Sequence, residues 1–195
     1  MDRFSTLVLL GPPGSGKGSI GKTLSLLRWG KHISSGDVLR SISPRSSLGQ
    51  EFQKRAKKGL LMPDEEVVSC VKKYLEKEEK LRLLSKKRDY LILDGIPRTE
   101  RQVELLQPFI AVRLVICLYV KDQQVLAQRI AGRAKKQKRV DDQDPMVLKK
   151  RLEEYETKTA GIIKKYPSHI VASVAADQPL VKVFQEALQH ICKTF

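Results

Sequence analysis

Cysteine is scarce in this chain: Cys70, Cys117 and Cys192 are far apart and form no Cys-x-x-Cys pair. An odd, dispersed set excludes a disulfide framework and offers no zinc or redox motif, so the thiols are read as reduced. Long apolar runs are missing too. Leu7 to Leu10 is too brief for a signal core and leads straight into a glycine-rich turn. No stretch approaches membrane-spanning length. Without export or anchoring signals, the expected location is the cytosol. Acidic residues are few, 22 against 37 basic, for a formal charge of +15. That balance favours anionic partners but does not choose among nucleotides, nucleic acid and membrane surfaces.

What is present fits a folded enzyme. Apolar residues make up 41% and charged residues 30% of 195, with no low-complexity tract and no internal repeat. This excludes disorder across the chain and suits one domain carrying a mobile insert. Short apolar runs alternate with longer periodic ones, the pattern of βαβ units around a parallel sheet. Strands are expected at Thr6–Leu10, His32–Ser34, Tyr90–Leu93, Leu114–Tyr119 and Ile170–Ser173. Helices are expected at Ser19–Leu27, Leu48–Lys58, Asp64–Lys80, Thr99–Leu106, Asp122–Arg133, Pro145–Lys165 and Leu180–Lys193. The fold class is therefore doubly wound α/β. Ser35–Leu61 and Ala134–Asp144 interrupt the alternation and are read as inserts over the carboxyl ends of the strands, where such sheets bind ligands.

Leu7-Val-Leu-Leu-Gly11-Pro-Pro-Gly14-Ser15-Gly16-Lys17-Gly18-Ser19 runs from a strand through glycines into a helix. That order makes a P-loop. The glycines let backbone N–H groups converge on phosphate oxygens, the helix N-terminus adds positive potential, and Lys17 reaches the β- and γ-phosphates. The hydroxyl usual after the lysine arrives one place late, as Ser19. In this the loop resembles that of adenylate kinases and UMP/CMP kinases.

Further motifs follow in that family's order: His32-Ile-Ser-Ser35-Gly-Asp37-Val-Leu-Arg40, Gly59-Leu60-Leu61-Met62-Pro-Asp-Glu, and Leu93-Asp94-Gly95-Ile96-Pro97-Arg98-Thr99-x-x-Gln102. The resemblance is to the short-lid adenylate kinases and runs from Thr6 to about Lys165. It implies a five-stranded parallel core (1–34, 62–133 and 145–195), a monophosphate-binding insert (35–61) and a short lid (134–144). Gly95, Ile96, Pro97, Arg40 and Arg98 would then hold AMP, the arginines because a guanidinium fork matches phosphate oxygens. Two surface arginines in weak ion pairs are the alternative. Ser35 and Gln102 stand where UMP/CMP kinases typically carry alanine and asparagine, and an amide that both donates and accepts matches an adenine edge. Leu60, Leu61 and Met62 would wall the adenine, or simply pack. Asp94 would hold Mg²⁺ through waters, unless it only caps the turn at Gly95.

The basic segment Arg129-Ile-Ala-Gly-Arg133-Ala-Lys-Lys-Gln-Lys-Arg139-Val-Asp141-Asp142 places Arg129 and Arg133 one helical turn apart. By the same resemblance Arg129 stacks on the ATP base, while Arg133, Arg139 and Arg151 clamp the transferred phosphoryl. Asp141 and Asp142 would lock the closed lid. The stretch from Arg139 to Arg151 is one residue longer than in short-lid relatives, and without cysteine or histidine it implies no structural zinc. Lys135, Lys136 and Lys138 are equally readable as solvated surface. Gly14, Ser15, Gly16, Lys17, Gly18 and Ser19 complete the ATP cradle. Gly36, Gly59 and Gly132 lie near the joints of a closing motion. Expected partners are ATP, AMP and ADP with Mg²⁺, on a monomer, with neither membrane nor nucleic acid expected. A UMP/CMP kinase is the nearer alternative reading. A nucleic-acid-binding ATPase is the remoter one, because it leaves Arg40, Arg98 and Gln102 unexplained.

Overall fold

A computed structural model describes residues 3–137 and 144–195, with the side chains of residues 123 and 133–137 left out. Five parallel strands form one sheet: β1 (Phe4–Leu10), β2 (Lys31–Ser34), β3 (Leu91–Asp94), β4 (Ile110–Tyr119) and β5 (Val171–Ala175), in the spatial order β2-β3-β1-β4-β5. The chain leaves β1 for the outer β2, returns to β3, then crosses β1 to add β4 and β5. The direction of winding changes at β1, so the crevice beside its carboxyl end is the natural ligand site. In register, Leu9 of β1 lies beside Asp94 of β3, and Asp94 beside Ser34 of β2.

Both faces of β1 are covered, which is why its sequence is a continuous apolar run rather than an alternating one. Leu7 and Leu9 pack with Ile20 and Leu24 of α1 (Lys17–Leu26) and with Val183, Ala187 and Ile191 of α8 (Leu180–Thr194). On the other side, Val8 and Leu10 pack with Val115 and Ile162, and next to them Leu91, Leu93 and Ile96 pack with Val67, Val68, Val71 and Leu75 of α4 (Asp64–Lys80). Truncating a fully buried leucine such as Leu9 would cost about 2–5 kcal/mol, enough to threaten a fold of ordinary stability.

Between β2 and α4 lie α2 (Ser35–Arg40) and α3 (Ser47–Ala56), and α5 (Glu100–Leu106) follows β3. α2, only six residues long, is not distinguished by the sequence pattern. It starts where the Ser34 hydroxyl accepts the Asp37 N–H at 3.3 Å. β4 begins four residues before its expected start, and the extra residue Arg113 falls where the pairing with β1 slips between Thr6 and Leu7.

Two helices differ from expectation. α6 (Gln123–Gln137) continues past Arg133, because Ala-Lys-Lys-Gln are good helix formers with no breaker among them. Residues 134–137 of the expected lid are thus helix, and 138–143, with Arg139, Asp141 and Asp142, lie outside the described residues. The single helix expected from Pro145 ends as α7 at Glu154. Tyr155–Thr159 widens to a π turn and Ala160–Lys165 tightens to 3-10. That irregular backbone turns Glu154, Tyr155 and Thr159 toward one cavity, and such bulges commonly sit at functional sites.

Candidate active site

The donor end of the cavity is made locally. After β1 the chain passes Gly11, Gly14 and Gly16, at φ 144°, 84° and 98°, before α1 begins at Lys17. A side chain in place of Gly14 would also meet Ile130 Cγ1 at 2.9 Å, so strain and space both demand glycine there. Lys17 folds back over the loop, its Nζ donating to the carbonyls of Gly11 at 2.7 Å and Pro12 at 2.9 Å. The loop N–H groups and the start of α1 thus share one concavity with a fixed ammonium group, a pattern suited to phosphate.

The acceptor end is assembled from distant segments. The Gly95 carbonyl, just past β3, accepts both the Ser35 hydroxyl at 2.6 Å and Arg98 Nε at 2.8 Å. One carbonyl therefore ties the end of β2 to the turn after β3. Gln102, only 2% exposed, accepts the Arg98 N–H through Oε1 at 2.7 Å and donates through Nε2 to Asp64 at 2.8 Å. The Thr159 hydroxyl donates to the Arg98 carbonyl at 2.9 Å. Arg40 Nη2 donates to Asp37 at 2.6 Å, one turn back along α2.

Asp94 lies between the two ends, its carboxylate 3.3 Å from the position a Cβ on Gly18 would take. Burial works to raise its pKa, but His32, Lys17 and Arg98 outweigh burial and hold it below the ordinary value, so it is ionised at neutral pH. His32 Nε2 is 3.5 Å from Asp94 Oδ2 and finds no hydrogen-bond partner among the described residues. Burial pushes the Tyr155 hydroxyl up to about 12, which keeps it a donor rather than a base.

Both ends open into one cavity of about 600 Å³, within the range that encloses a small ligand. Of the residues singled out in the sequence, Gly14, Ser15, Gly16, Lys17, Gly18, Ser19, Ser35, Arg40, Leu60, Leu61, Met62, Asp94, Gly95, Pro97, Arg98, Gln102, Arg129 and Arg151 all line it. Arg129 donates to the carbonyls of Ala176 and Gln178, which fixes it against the loop after β5. Among those with described side chains, Ile96 is the exception: it is fully buried among the apolar residues under α4, so it does not line the cavity. Arg133 lies on α6 without a described side chain.

Sequence reasoning passed over His32, Lys22, Asp37, Glu154, Tyr155 and Gln178, which also line the cavity. For His32 a signal existed, since it begins the motif that contains Ser35 and Arg40. For Glu154 and Tyr155 none did, because they reach the site through the π turn.

Among the described residues no three or more His, Cys, Asp or Glu side chains gather as a metal site. A lone ionised carboxylate, Asp94, on the wall of the cavity that Ser19 also lines nevertheless fits Mg²⁺, which keeps its waters and takes substrate phosphates as ligands. No described helix is long and apolar enough to cross a membrane.

The sequence model of the adenylate kinase family matches residues 9–171. An adenylate kinase of Synechococcus sp. is 36% identical, over 97% of this chain and 96% of the relative. One of Borreliella burgdorferi is 32% identical, over 94% and 98%. One of Chlamydia muridarum is 31% identical, over 98% and 89%. With that match covering most of its length, over a five-stranded parallel sheet whose β1 feeds a P-loop, the chain belongs to the adenylate kinase family.

Proposed function

We propose that this chain transfers a phosphoryl group reversibly between ATP and AMP, giving two ADP, with Mg²⁺, as a monomer in the cytosol. The observation that carries the reading is a cavity lined at one end by Lys17 and the P-loop and at the other by Arg40 and Arg98, with Arg151 also on its wall. Two separate anion cradles facing one space suit a donor and an acceptor that both carry phosphate.

In this mechanism the P-loop N–H groups and Lys17 bind the ATP phosphates, Arg129 flanks the ATP base, and Arg40 and Arg98 orient the AMP phosphate. An AMP phosphate oxygen attacks the γ-phosphorus; the bond from that phosphorus to the β–γ bridging oxygen breaks, and its electron pair leaves with ADP. A phosphate monoester with second pKa near ~6 is already ionised at neutral pH, so no general base is required. The site's work is positioning and stabilising spread negative charge. Arg133, Arg139 and Arg151 would supply that charge around the moving phosphoryl. Asp94, with Ser19, would hold Mg²⁺ through its waters, which would neutralise phosphate charge. The insert 35–61 and the lid 134–144 would close over the substrates, excluding the water that competes as acceptor.

Acceptor choice is assigned to Ser35 and Gln102. The Gln102 amide is already bonded on both sides, but oxygen and nitrogen each keep one further hydrogen-bonding position. A coupled ADP-production assay with Mg-ATP against AMP, UMP, CMP and GMP tests this. Turnover with AMP far above the others is expected. Preference for UMP or CMP would overturn the acceptor assignment, and no transfer to any monophosphate would overturn the function.

A further inference from the structure

The nucleotide cavity uses few of the cations behind the +15 charge, and Arg28, Arg82, Lys87 and Arg88 lie at the opposite edge of the sheet, in the turns that lead into β2 and β3. In a parallel sheet all strands begin at that edge, and the helices feeding them end there. Two of those helix ends share an uncommon construction. α1 closes at Leu27 and α4 at Leu81, and the next residue in each case, Arg28 and Arg82, is left-handed at φ 57°. Their backbone bonds also correspond. The N–H groups of Arg28 and Trp29 donate to Ser25 and Leu24, and those of Arg82 and Leu83 to Glu79 and Glu78. Glycine is usual at this left-handed position because a side chain is strained there. Both ends nevertheless keep arginine.

The arginines stand among leucines left in water. Leu26 and Leu27 are 83% and 63% exposed, Leu81 and Leu83 56% and 61%. Single exposed leucines are ordinary, but these are four of the nine exposed large hydrophobic residues described, gathered at two helix ends. The two ends flank the sheet from opposite faces and are linked where the strands begin: Lys31, three residues past Arg28, donates at 2.6 Å to Glu78, whose carbonyl accepts the Leu83 N–H. Exposed Lys87 and Arg88 follow, while Lys86 pairs with Glu79 at 3.3 Å and the nearby Asp89 carboxylate accepts the Ser85 N–H at 2.7 Å.

We propose that this edge docks on an anionic lipid bilayer, with the four leucines entering the interfacial layer and Arg28, Arg82, Lys87 and Arg88 meeting acidic headgroups. Leucine side chains gain by leaving water for that layer, and cations are drawn to its negative surface potential. Charge complementarity alone would also admit nucleic acid, but a strand is gripped by cations and stacking aromatics; the aromatics here, Trp29, Tyr90 and Phe195, are engaged with one another, and a strand would leave the leucines in water. Strand β1 spans seven residues, setting the cavity mouth about 20 Å from the docked edge. Docking therefore recruits the enzyme while leaving its site open. This departs from the expectation of no membrane partner, which rested on the absence of long apolar runs; a peripheral surface needs none.

The test is cosedimentation of the full chain with neutral phosphatidylcholine vesicles and with vesicles containing phosphatidylglycerol. Retention on the anionic vesicles alone is expected, falling about tenfold or more in Leu26→Ser with Leu83→Ser and on added salt. The pair Arg28→Gly with Arg82→Gly should lose retention while its melting temperature holds or rises, since glycine relieves the left-handed strain. Solution phosphotransfer should be unchanged in both pairs. Equal retention on neutral vesicles, no retention at all, or retention indifferent to both pairs would overturn the proposal. So would capture of an oligonucleotide in place of vesicles, or a leucine-dependent dimer by light scattering.

Discussion

The two ends of the nucleotide cavity are built in opposite ways. The donor end is one stretch of chain, 11–19, shaped by glycine dihedrals and by Lys17 bonded to carbonyls five and six residues before it. The acceptor end draws on four segments joined by side-chain hydrogen bonds: Ser35 to Gly95, Arg98 to Gly95, Gln102 to Asp64, and Thr159 to Arg98. Replacing a donor residue should therefore damage chemistry and leave folding nearly intact. Replacing a buried acceptor residue should damage both together.

The largest effect expected is on the donor side. Lys17→Ala should lower kcat about 10²–10³-fold or more, with a melting temperature within about 2–4 °C of the parent. Steady-state kinetics beside a thermal melt would check both. A collapse in stability would erase the contrast between the ends.

Gln102→Ala is the matching test at the acceptor end. It strands the Arg98 N–H and removes a partner of Asp64 in a buried place, at a cost of about 1–3 kcal/mol. Urea unfolding should show that loss while the KM for AMP rises more than that for ATP. Gly59→Ala should sharpen the point from the backbone side. Gly59 is at φ 69°, and a Cβ there would lie 2.8 Å from the Val147 carbonyl of α7. Strain of about 1–3 kcal/mol is expected, read as a shifted unfolding midpoint with an unchanged slope.

Asp94 joins the two ends, and its contribution has a sign in pH. Its folded pKa is lowered, so the ionised carboxylate stabilises the fold above its unfolded value near ~3.9 and that contribution is lost as pH falls through the folded value. Unfolding of the parent and of Asp94→Asn should thus show a parental advantage at pH 7 that shrinks below about pH 4. The smallest effect belongs to Ser35→Ala, which removes one hydrogen bond to Gly95 for about 0.5–1.5 kcal/mol. It should relax acceptor choice toward pyrimidine monophosphates in the same acceptor panel.

The contrast between the ends also governs what could be read from the sequence. Residues 11–19 declared their geometry because glycine spacing after an apolar strand dictates it locally. The parallel sheet was legible for the same reason, each strand being a short apolar run between helical stretches. Arg40, Arg98 and Gln102 stood out through ordered motifs and line the cavity, but their bonding was not legible, because it depends on which loops meet across β2 and β3. Ile96 looked like part of the site by position and proved to point into the core. Glu154 and Tyr155 were hidden because a π turn breaks a pattern that reads as plain helix to Lys165.

The central claim is that Lys17 and Arg98 serve different substrates in one cavity, and calorimetric titration of Arg98→Ala with ATP and AMP separately tests it most directly. The account predicts ATP affinity within about twofold of the parent and AMP affinity weakened about tenfold or more, as expected for losing a charged hydrogen-bonding group. Equal weakening of both nucleotides, or AMP binding left unchanged, would contradict it.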